Sequence, residues 1–238
     1  DRQITKRWLP VDMYIGGAEH SVLHLLYSRF LTMAFYDMDL VDFTEPFSKF
    51  RAHGLLISEG AKMSKSKGNV VLPDPYIAKY GADTLRTYLM FCGRFEQGGD
   101  FRDTGIEGMH RFLKRIWRLV VGQLGSWAVG QVGKSEPKNP IAQEPNSLYL
   151  MHKTIKKVGE DIENLRYNTA ISAIMEWVGT LEKRDGTIDN LQLTTDLKNK
   201  SNVKGQMSSV SLEEIQTLLL LLAPFAPYMT EELWSRLV

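Results

Sequence analysis

Two glycines that separate a short strand pattern from a long apolar helix pattern are the feature that most constrains this chain. Apolar and polar residues alternate from 11 to 15, which predicts a strand. After Gly16 and Gly17, apolar side chains recur nearly all round from 19 to about 36, which predicts a helix buried against a sheet. This order is typical of open α/β sheets, which bind nucleotides at the carboxyl ends of their strands. We therefore expect an α/β fold with a ligand near the glycines; a plain tight turn is the alternative.

Three polar side chains after the glycines are candidates for a nucleoside site. Glu19 is suited to accept hydrogen bonds from a ribose diol, although it lies closer to the turn than in the dinucleotide fingerprint. His20 and His24 are four residues apart and share one helical face, either as hydrogen-bonded helix residues or at the mouth of a nucleotide site. A zinc protease would carry a glutamate directly after the first histidine, where this chain has Ser21. We therefore expect no protein-bound metal here.

Residues 62–69 form a second candidate site. They read Lys-Met-Ser-Lys-Ser-Lys-Gly-Asn, with one apolar residue in eight, so this run does not belong to a core. Lysine ammonium groups suit phosphate, and serines with a glycine suit a loop that closes over a ligand. A solvated basic surface loop is the alternative interpretation. A strand is predicted over 53–58 before the run and another over 70–72 after it, followed by a helix with Asp74 as its N-cap.

Four stretches of the chain resemble one known family. Residues 62–66 spell KMSKS, one of the two ATP-binding motifs of class I aminoacyl-tRNA synthetases. Residues 14–30 resemble the YIGG-x-EH-x-x-x-HLLY-x-RF pattern of the leucyl-tRNA synthetases. Residues 80–86 (YGADTLR) and 222–234 (LAPFAP, then EELW) fit the same family. Isoleucyl-, valyl- and methionyl-tRNA synthetases share KMSKS but differ around 27–30, so a sibling enzyme is a weaker alternative.

The resemblance implies ATP-dependent activation of leucine to leucyl-adenylate, then transfer to tRNA(Leu). Lys62 and Lys65 would be catalytic, since they would neutralise charge on the leaving pyrophosphate. Magnesium would arrive with ATP rather than sit in a protein cage. The backbone near Leu56 and Ile57 would hold adenine. The expected ATP-binding residues are Gly16, Gly17, Glu19, His20, His24, Leu56, Ile57, Lys62, Met63, Ser64, Lys65 and Ser66.

The remaining chain has mainly helical periodicity. The resemblance implies that residues 1–103 are the C-terminal half of a Rossmann-like class I catalytic domain, with the boundary in a polar crossing at 93–103. Residues 104–238 would be a helical-bundle anticodon-binding domain, incomplete at its C-terminus. We expect helices from 104, over 147–165 and 169–183, from a capping box at 211–214, and from 230. The segments 130–146 and 185–209 are predicted as a loop and a partly ordered insert.

The first helix of this second part combines an apolar face with a basic one. The whole chain has a net charge of +1, so any surface that binds nucleic acid must be local. The predicted apolar face consists of Ile106, Met109, Phe112, Leu113, Ile116, Trp117 and Val120. The predicted tRNA contacts on the opposite face are Arg111, Lys114, Arg115 and Arg118. A solvated basic face is an equally simple interpretation.

The other class I motif, HIGH, does not occur in the sequence. In the family that motif lies upstream, with most of the leucine pocket and the editing domain. We therefore expect an internal fragment that is inactive alone and whose partners include the remainder of the synthetase polypeptide. A non-catalytic RNA-binding module is the alternative. No apolar run approaches 18 residues and no leader is evident, which is expected of a cytoplasmic protein without a membrane partner.

Overall fold

The computed structural model describes residues 1–58, 60–131, 145–185 and 210–237. The chain divides into two compact units. The first contains residues 1–70 and 93–100, and the second contains residues 71–92 and 101–238. Most of the predicted loop at 130–146 and of the predicted insert at 185–209 lies outside the described residues. The expected domain boundary at 103 stays a prediction.

The first unit is built on two small sheets. Its elements are α1 (Arg2–Trp8), β1 (Tyr14–Gly17), a 3-10 turn (Ala18–Ser21), α2 (His24–Asp37), β2 (Phe50–His53), β3 (Leu55–Ser58), β4 (Ala61–Lys62), a second 3-10 turn (Lys65–Lys67), β5 (Gly93–Arg94) and β6 (Gly98–Phe101). Strand β1 pairs with β2 in parallel, with Tyr14 opposite Phe50 and Gly17 opposite His53. The other sheet has the order β4-β3-β6-β5.

The strand predicted over 53–58 is two strands in different sheets, because Gly54 interrupts it. A Cβ atom at Gly54 would lie 2.0 Å from the backbone nitrogen of Gly98. The two backbones approach so closely that only glycine fits at this crossing. The polar crossing predicted at 93–103 contains the β5–β6 hairpin that makes this approach.

The prediction of one buried helix over 19–36 is wrong for the described residues. The 3-10 turn at Ala18–Ser21 precedes α2, and Thr32 is the buried residue of α2. Large apolar side chains of α2 are open to solvent, with Phe30 66% exposed and Leu26 54% exposed. The apolar pattern identified a helix that requires a partner, but the two-strand β1–β2 sheet does not cover its faces.

The second unit is helical. It contains α3 (Pro73–Tyr80), α4 (Ala82–Phe91), α5 (Asp103–Gln131), α6 (Pro145–Glu163), α7 (Tyr167–Asp185), α8 (Leu212–Leu222) and α9 (Pro227–Ser235). Six of the seven residues predicted for the apolar face of α5 are buried, whereas Trp117 is partly exposed. The capping box at Ser211 and Glu214 is confirmed.

Helices α3, α6, α7 and α9 start two or three residues earlier than predicted, and α3, α6 and α9 begin at a proline. Helix α3 begins at Pro73 with Leu72 as its N-cap, so the predictions of Asp74 as cap and of a strand at 70–72 are wrong. Helix α9 begins at Pro227 rather than at 230. Proline suits the first helical turn because its φ is already helical and its missing N–H would have no partner there.

A buried charged network joins three helices of the second unit. Arg184 of α7 donates to Glu214 of α8, with Nη1 2.6 Å from Oε1, and Ser147 of α6 also donates to that carboxylate. Burial acts to raise the pKa of Glu214, but the hydrogen bonds from Arg184, Ser147 and the Ser211 backbone hold it below its usual range. The pair is satisfied on both sides, as a buried charge requires.

Polar side chains of α4 hold the turn between α8 and α9. The Asp83 carboxylate accepts hydrogen bonds from the backbone nitrogens of Tyr228 at 3.3 Å and Met229 at 2.6 Å. Thr87 donates to the carbonyl of Phe225 at 3.3 Å, and Arg86 donates to that of Pro224 at 3.4 Å. Asp83 therefore caps α9 from a position 145 residues away in sequence. Within the described ranges, no helix combines the length and apolarity needed to cross a membrane.

Replacement of Asp83 tests this cap. Asp83→Ala leaves the first N–H groups of α9 without their acceptor, so we expect a loss of about 1 kcal/mol in the free energy of unfolding, within a range of about 0.5–2 kcal/mol. Asp83→Asn keeps an acceptor oxygen and should lose less. Urea denaturation measures both. Glu231→Ala, in the same helix and exposed, is the control; equal losses for Asp83→Ala and Glu231→Ala would contradict the capping role.

Candidate functional site

An aromatic cluster holds the two histidines beside Gly16 and Gly17. The prediction of a strand over 11–15 followed by a Gly-Gly turn is wrong, because both glycines are the last residues of β1 and the 3-10 turn follows them. The Tyr14 hydroxyl lies 2.9 Å from Nδ1 of His24, and the Tyr14 ring stacks on Phe47 with centroids 4.6 Å apart. A Cβ atom at Gly16 would lie 3.5 Å from Cδ2 of His20, so that ring is next to the glycine. The 3-10 turn and the start of α2 thus bring both histidines to the end of β1. No role was predicted for Tyr14, although it directly precedes Ile15 and the two glycines.

Glu19 and His20 present polar atoms at the same turn. A Cβ atom at Gly17 would lie 2.3 Å from the Glu19 carboxylate, so this glycine leaves room for the acid. The Nδ1 atom of His20 is buried and has no hydrogen-bond partner among the described residues. A buried polar atom of this kind ordinarily has a partner, so it marks a place where a ligand can bind.

The lysine run forms a short loop that is fixed by hydrogen bonds of its own. Asn69 accepts from the backbone nitrogen of Ser64 at 2.9 Å and donates to the carbonyl of Lys62 at 3.2 Å. The Ser64 hydroxyl accepts from the backbone nitrogen of Lys67 at 3.3 Å. Gly68 has a φ of 67°, which favours glycine. The backbone of the loop is therefore preorganised, and Asn69 is a structural residue that the sequence analysis did not single out.

Lysines of this loop are free to bind an anion. Lys62 and Lys65 are exposed, and neither forms an ion pair within the described part of the chain. Ile57 of β3 lies opposite Lys62 of β4 in the antiparallel ladder, which places the predicted adenine-binding strand beside the predicted phosphate loop. Leu56 is adjacent in β3 and exposed. Met63 and Ser66 lie in the loop itself.

The structure therefore assembles two groups of predicted site residues. One contains Gly16, Gly17, Glu19, His20 and His24, and the other contains Leu56, Ile57 and 62–66. No hydrogen bond, ion pair or ring contact joins the two groups directly in the described ranges. Both groups belong to the first unit. A ligand that touches both would complete the site.

The predicted RNA-facing residues of α5 separate into two kinds. Arg111, Lys114 and Arg118 are exposed and form no ion pair with a described acid. Arg115 instead donates through both Nε and Nη2 to Glu182 of α7, with Nε 2.9 Å from Oε1, and the Glu182 side chain is only 4% exposed. The hydrogen bond to Glu182 raises the pKa of Arg115. Arg115 therefore has a buried acidic partner, whereas the other three cations form no ion pair with any residue that the structure describes.

Two family models match the chain. A model described as tRNA synthetases class I (I, L, M and V) matches residues 1–98, and one described as the anticodon-binding domain of tRNA ligase matches residues 146–237. A leucine–tRNA ligase from Thermosipho melanesiensis is 43% identical over 238 residues, which cover 100% of this chain and 27% of the relative. The chain belongs to the leucyl-tRNA synthetase family. A leucine–tRNA ligase from Dehalococcoides mccartyi is 42% identical over 232 residues, 98% of this chain and 25% of the relative.

One solved structure agrees with this assignment to the leucyl-tRNA synthetases, and a second shares the fold. The Agrobacterium radiobacter agnB2 LeuRS, solved as a ternary complex with tRNA and LeuAMS, aligns over 100% of this chain and 29% of its own, with a TM-score of 0.80 and 31% identity. Mycobacterium tuberculosis methionyl-tRNA synthetase, solved with methionyl-adenylate, aligns over 98% of this chain and 45% of its own with a TM-score of 0.73; at 22% identity it shows the fold alone. The predicted fold class, a class I catalytic portion followed by a helical anticodon-binding domain, is confirmed. The chain spans about a quarter of the length of the curated relatives it matches.

Alanine substitutions distinguish the structural arginine from the free cations. Arg115→Ala leaves the buried Glu182 carboxylate without its donor, which should cost about 1–3 kcal/mol of unfolding free energy, since Arg115 is itself partly exposed. Arg111→Ala removes no described contact and should change stability by less than about 0.5 kcal/mol. Urea denaturation of both variants measures the difference. Equal stability of the two would show that the Arg115–Glu182 pair contributes nothing.

Proposed function

We propose that this chain supplies the triphosphate loop, part of the nucleoside site and the tRNA-binding helices of a leucyl-tRNA synthetase. In that enzyme ATP activates leucine to leucyl-adenylate, and the leucyl group passes to tRNA(Leu). The observation that carries the proposal is the preorganised KMSKS loop with two unpaired lysines, beside a strand suited to adenine. Residues 1–103 would form the catalytic portion and residues 104–238 the tRNA-binding domain.

During leucine activation, negative charge would develop on the pyrophosphate beside the two lysines. The leucine carboxylate attacks the α-phosphorus of ATP, and pyrophosphate leaves with increasing charge on its oxygens. Lys62 and Lys65 would neutralise that charge, and the hydrogen bonds of Asn69 would hold their backbone in place before ATP binds. Ser64 and Ser66 would offer hydroxyls to the same phosphates, and Met63 lies between Lys62 and Ser64 in the loop.

The nucleoside would contact the other group of residues. Gly16 and Gly17 let the ligand approach the backbone, and the Glu19 carboxylate suits a ribose diol. Nδ1 of His20 would gain the partner that it lacks, and His24 is held by Tyr14 at the same edge. Backbone groups at Leu56 and Ile57 would hold adenine. Mg²⁺ would arrive as a complex with ATP, because this ion keeps several of its waters and is usually bound through substrate phosphates.

The rest of the synthetase polypeptide is the expected partner of the first unit. Large apolar side chains on α2 are exposed, including Leu31 at 50% and Phe35 at 44%. An apolar surface of this extent ordinarily contacts protein. With HIGH absent from the sequence, we propose that this chain alone does not activate leucine. The cytoplasmic location expected from the sequence stays a prediction.

A non-catalytic RNA-binding module is the second candidate function, and the three unpaired cations on α5 favour it. Such a module has no use for a fixed lysine loop beside an adenine-binding strand, so we favour the synthetase. An isoleucyl, valyl or methionyl sibling would need a different sequence at 27–30.

Lysine substitutions in the complete enzyme test the phosphate role. Lys62→Ala and Lys65→Ala should each lower kcat for leucine-dependent ATP–pyrophosphate exchange by about 100-fold, equivalent to about 3 kcal/mol of transition-state stabilisation. Lys67→Ala is the matched control, because its side chain is exposed in the same loop and is not assigned to ATP. A similar loss for all three would indicate a general charge effect, whereas no loss for Lys62→Ala and Lys65→Ala would refute the proposed role. The chain alone should show no exchange.

The salt dependence of tRNA binding tests the basic face of α5. Each lysine that neutralises an RNA phosphate adds about one to the slope of log affinity against log salt concentration. Lys114→Gln should therefore weaken binding of a leucine tRNA transcript and reduce that slope by about one. Lys183→Gln, an exposed lysine on α7, is the control and should leave the slope unchanged. If both variants keep the wild-type slope, α5 is a solvated face and not an RNA contact.

A further inference from the structure

An open groove of about 680 Å³ lies in the second unit, beside the basic face of α5. The end of α3, the middle of α5 and the start of α9 form its walls. Its main lining residues are Tyr80, Leu113, Lys114, Trp117, Tyr228 and Met229. The groove therefore combines aromatic rings with one of the unpaired cations of α5.

Tyr228 is the ring in this groove that is open to a ligand. Its side chain belongs to a residue that is 71% exposed, and it makes no ring contact with another described residue. The other three rings are partly covered: Arg236 lies 4.9 Å from the centroid of Trp117, Lys79 lies 4.7 Å from that of Tyr80, and the Tyr80 and His110 rings pack against each other. The Tyr228 ring is therefore the aromatic surface of this groove that is most open to a stacking partner.

The backbone beneath Tyr228 is fixed. Its nitrogen and that of Met229 both donate to the Asp83 carboxylate of α4. The ring therefore projects from the first turn of a capped helix, and little backbone freedom remains to be lost when a ligand binds. A preorganised platform of this kind lowers the entropic cost of binding.

The charges at the groove favour an anionic ligand. Its acids are already engaged: Asp83 caps α9, and Glu232 pairs with Arg236, with Nη2 2.6 Å from Oε1. Lys114 has no described acidic partner, and Arg118 lies one helical turn further along α5, with its Nε 3.4 Å from the Lys114 carbonyl. The unpaired charge at the groove is therefore positive.

We propose that this groove binds one unpaired nucleotide of the tRNA, with its base stacked on Tyr228 and its phosphate on Lys114. Single-stranded nucleotides are bound in this way, by aromatic rings that take the base and cations that take the backbone. The proposal rests on the proposed tRNA-binding function and adds a specific structural requirement, an RNA position that is not in a double helix. A paired base cannot reach an aromatic platform because its faces are covered by its neighbours.

Substitution of Tyr228 tests stacking against charge. Tyr228→Ala should weaken binding of a leucine tRNA transcript between about 5-fold and about 100-fold, because loss of one base–aromatic stack costs about that much. Tyr228→Phe keeps the ring and should bind like the wild type. Tyr228→Leu keeps an apolar side chain without the ring and should bind like Tyr228→Ala. In all three, the slope of log affinity against log salt concentration should stay at its wild-type value, since no cation is lost.

Tyr149→Ala is the matched control, because Tyr149 is another exposed tyrosine of the second unit, at 63%. Urea denaturation should give similar stability for Tyr149→Ala and Tyr228→Ala. Equal tRNA affinities of these two variants, or equal losses for Tyr228→Phe and Tyr228→Ala, would overturn the stacking proposal. That outcome leaves the proposed function intact if Lys114→Gln still reduces the salt slope. An unchanged slope for Lys114→Gln would instead refute the basic face of α5 as an RNA contact.

Discussion

The parallel pairing of β1 with β2 is the interaction on which the candidate nucleotide site depends. Because the strands are parallel, Gly17 and His53 meet at the same edge of the sheet, where both strands end. From that edge β1 leads into the histidines of the 3-10 turn and α2. Strand β2 leads through Gly54 into β3 and then into the lysine loop. The two chain segments that carry the site residues therefore begin at the same end of this pair of strands.

At two other places, hydrogen bonds from a short polar side chain hold the backbone while a neighbouring long side chain stays exposed to a ligand. Asn69 fixes the backbone of the lysine loop while its lysines remain unpaired. In the second unit Asp83 fixes the start of α9, which leaves the Tyr228 ring exposed on a held backbone. In both places short polar residues provide order, and long charged or aromatic residues stay available. Because the backbone is already held, less conformational entropy is lost when a ligand binds.

Local sequence patterns predicted those structural features that are determined by residues close in sequence. The apolar face of α5 and the capping box at Ser211 were predictable, because each follows from periodicity or from capping chemistry within a few residues. The strand before α2 was predicted two to three residues too early, since Gly16 and Gly17 belong to β1 and do not form a turn after it. Family resemblance supplied the purpose of the lysine loop, which its charge alone did not give. Helix starts at Pro73 and Pro227 were missed by two and three residues, and at the first of them Asp74 looked like the cap.

Contacts between distant parts of the chain were not predictable. Glu182 lies 67 residues from Arg115, so a basic stripe gave no sign that one of its members has a buried partner. Gly54 divides a strand because of Gly98, and Asp83 caps a helix that follows much later in the chain. The burial expected for α2 also failed, since an apolar pattern states that a helix requires a partner but not where that partner lies.

Amide hydrogen exchange of this chain with and without Mg²⁺ and ATP tests most directly whether the two groups of residues form one site. Slower exchange is expected at both 16–20 and 62–69. Protection of the two segments should reach half its maximum at the same ATP concentration, because one ligand would contact both. Protection confined to 62–69 at saturating ATP would contradict the account. The lysine loop would then be an anion site without a nucleoside partner at Gly16 and Gly17.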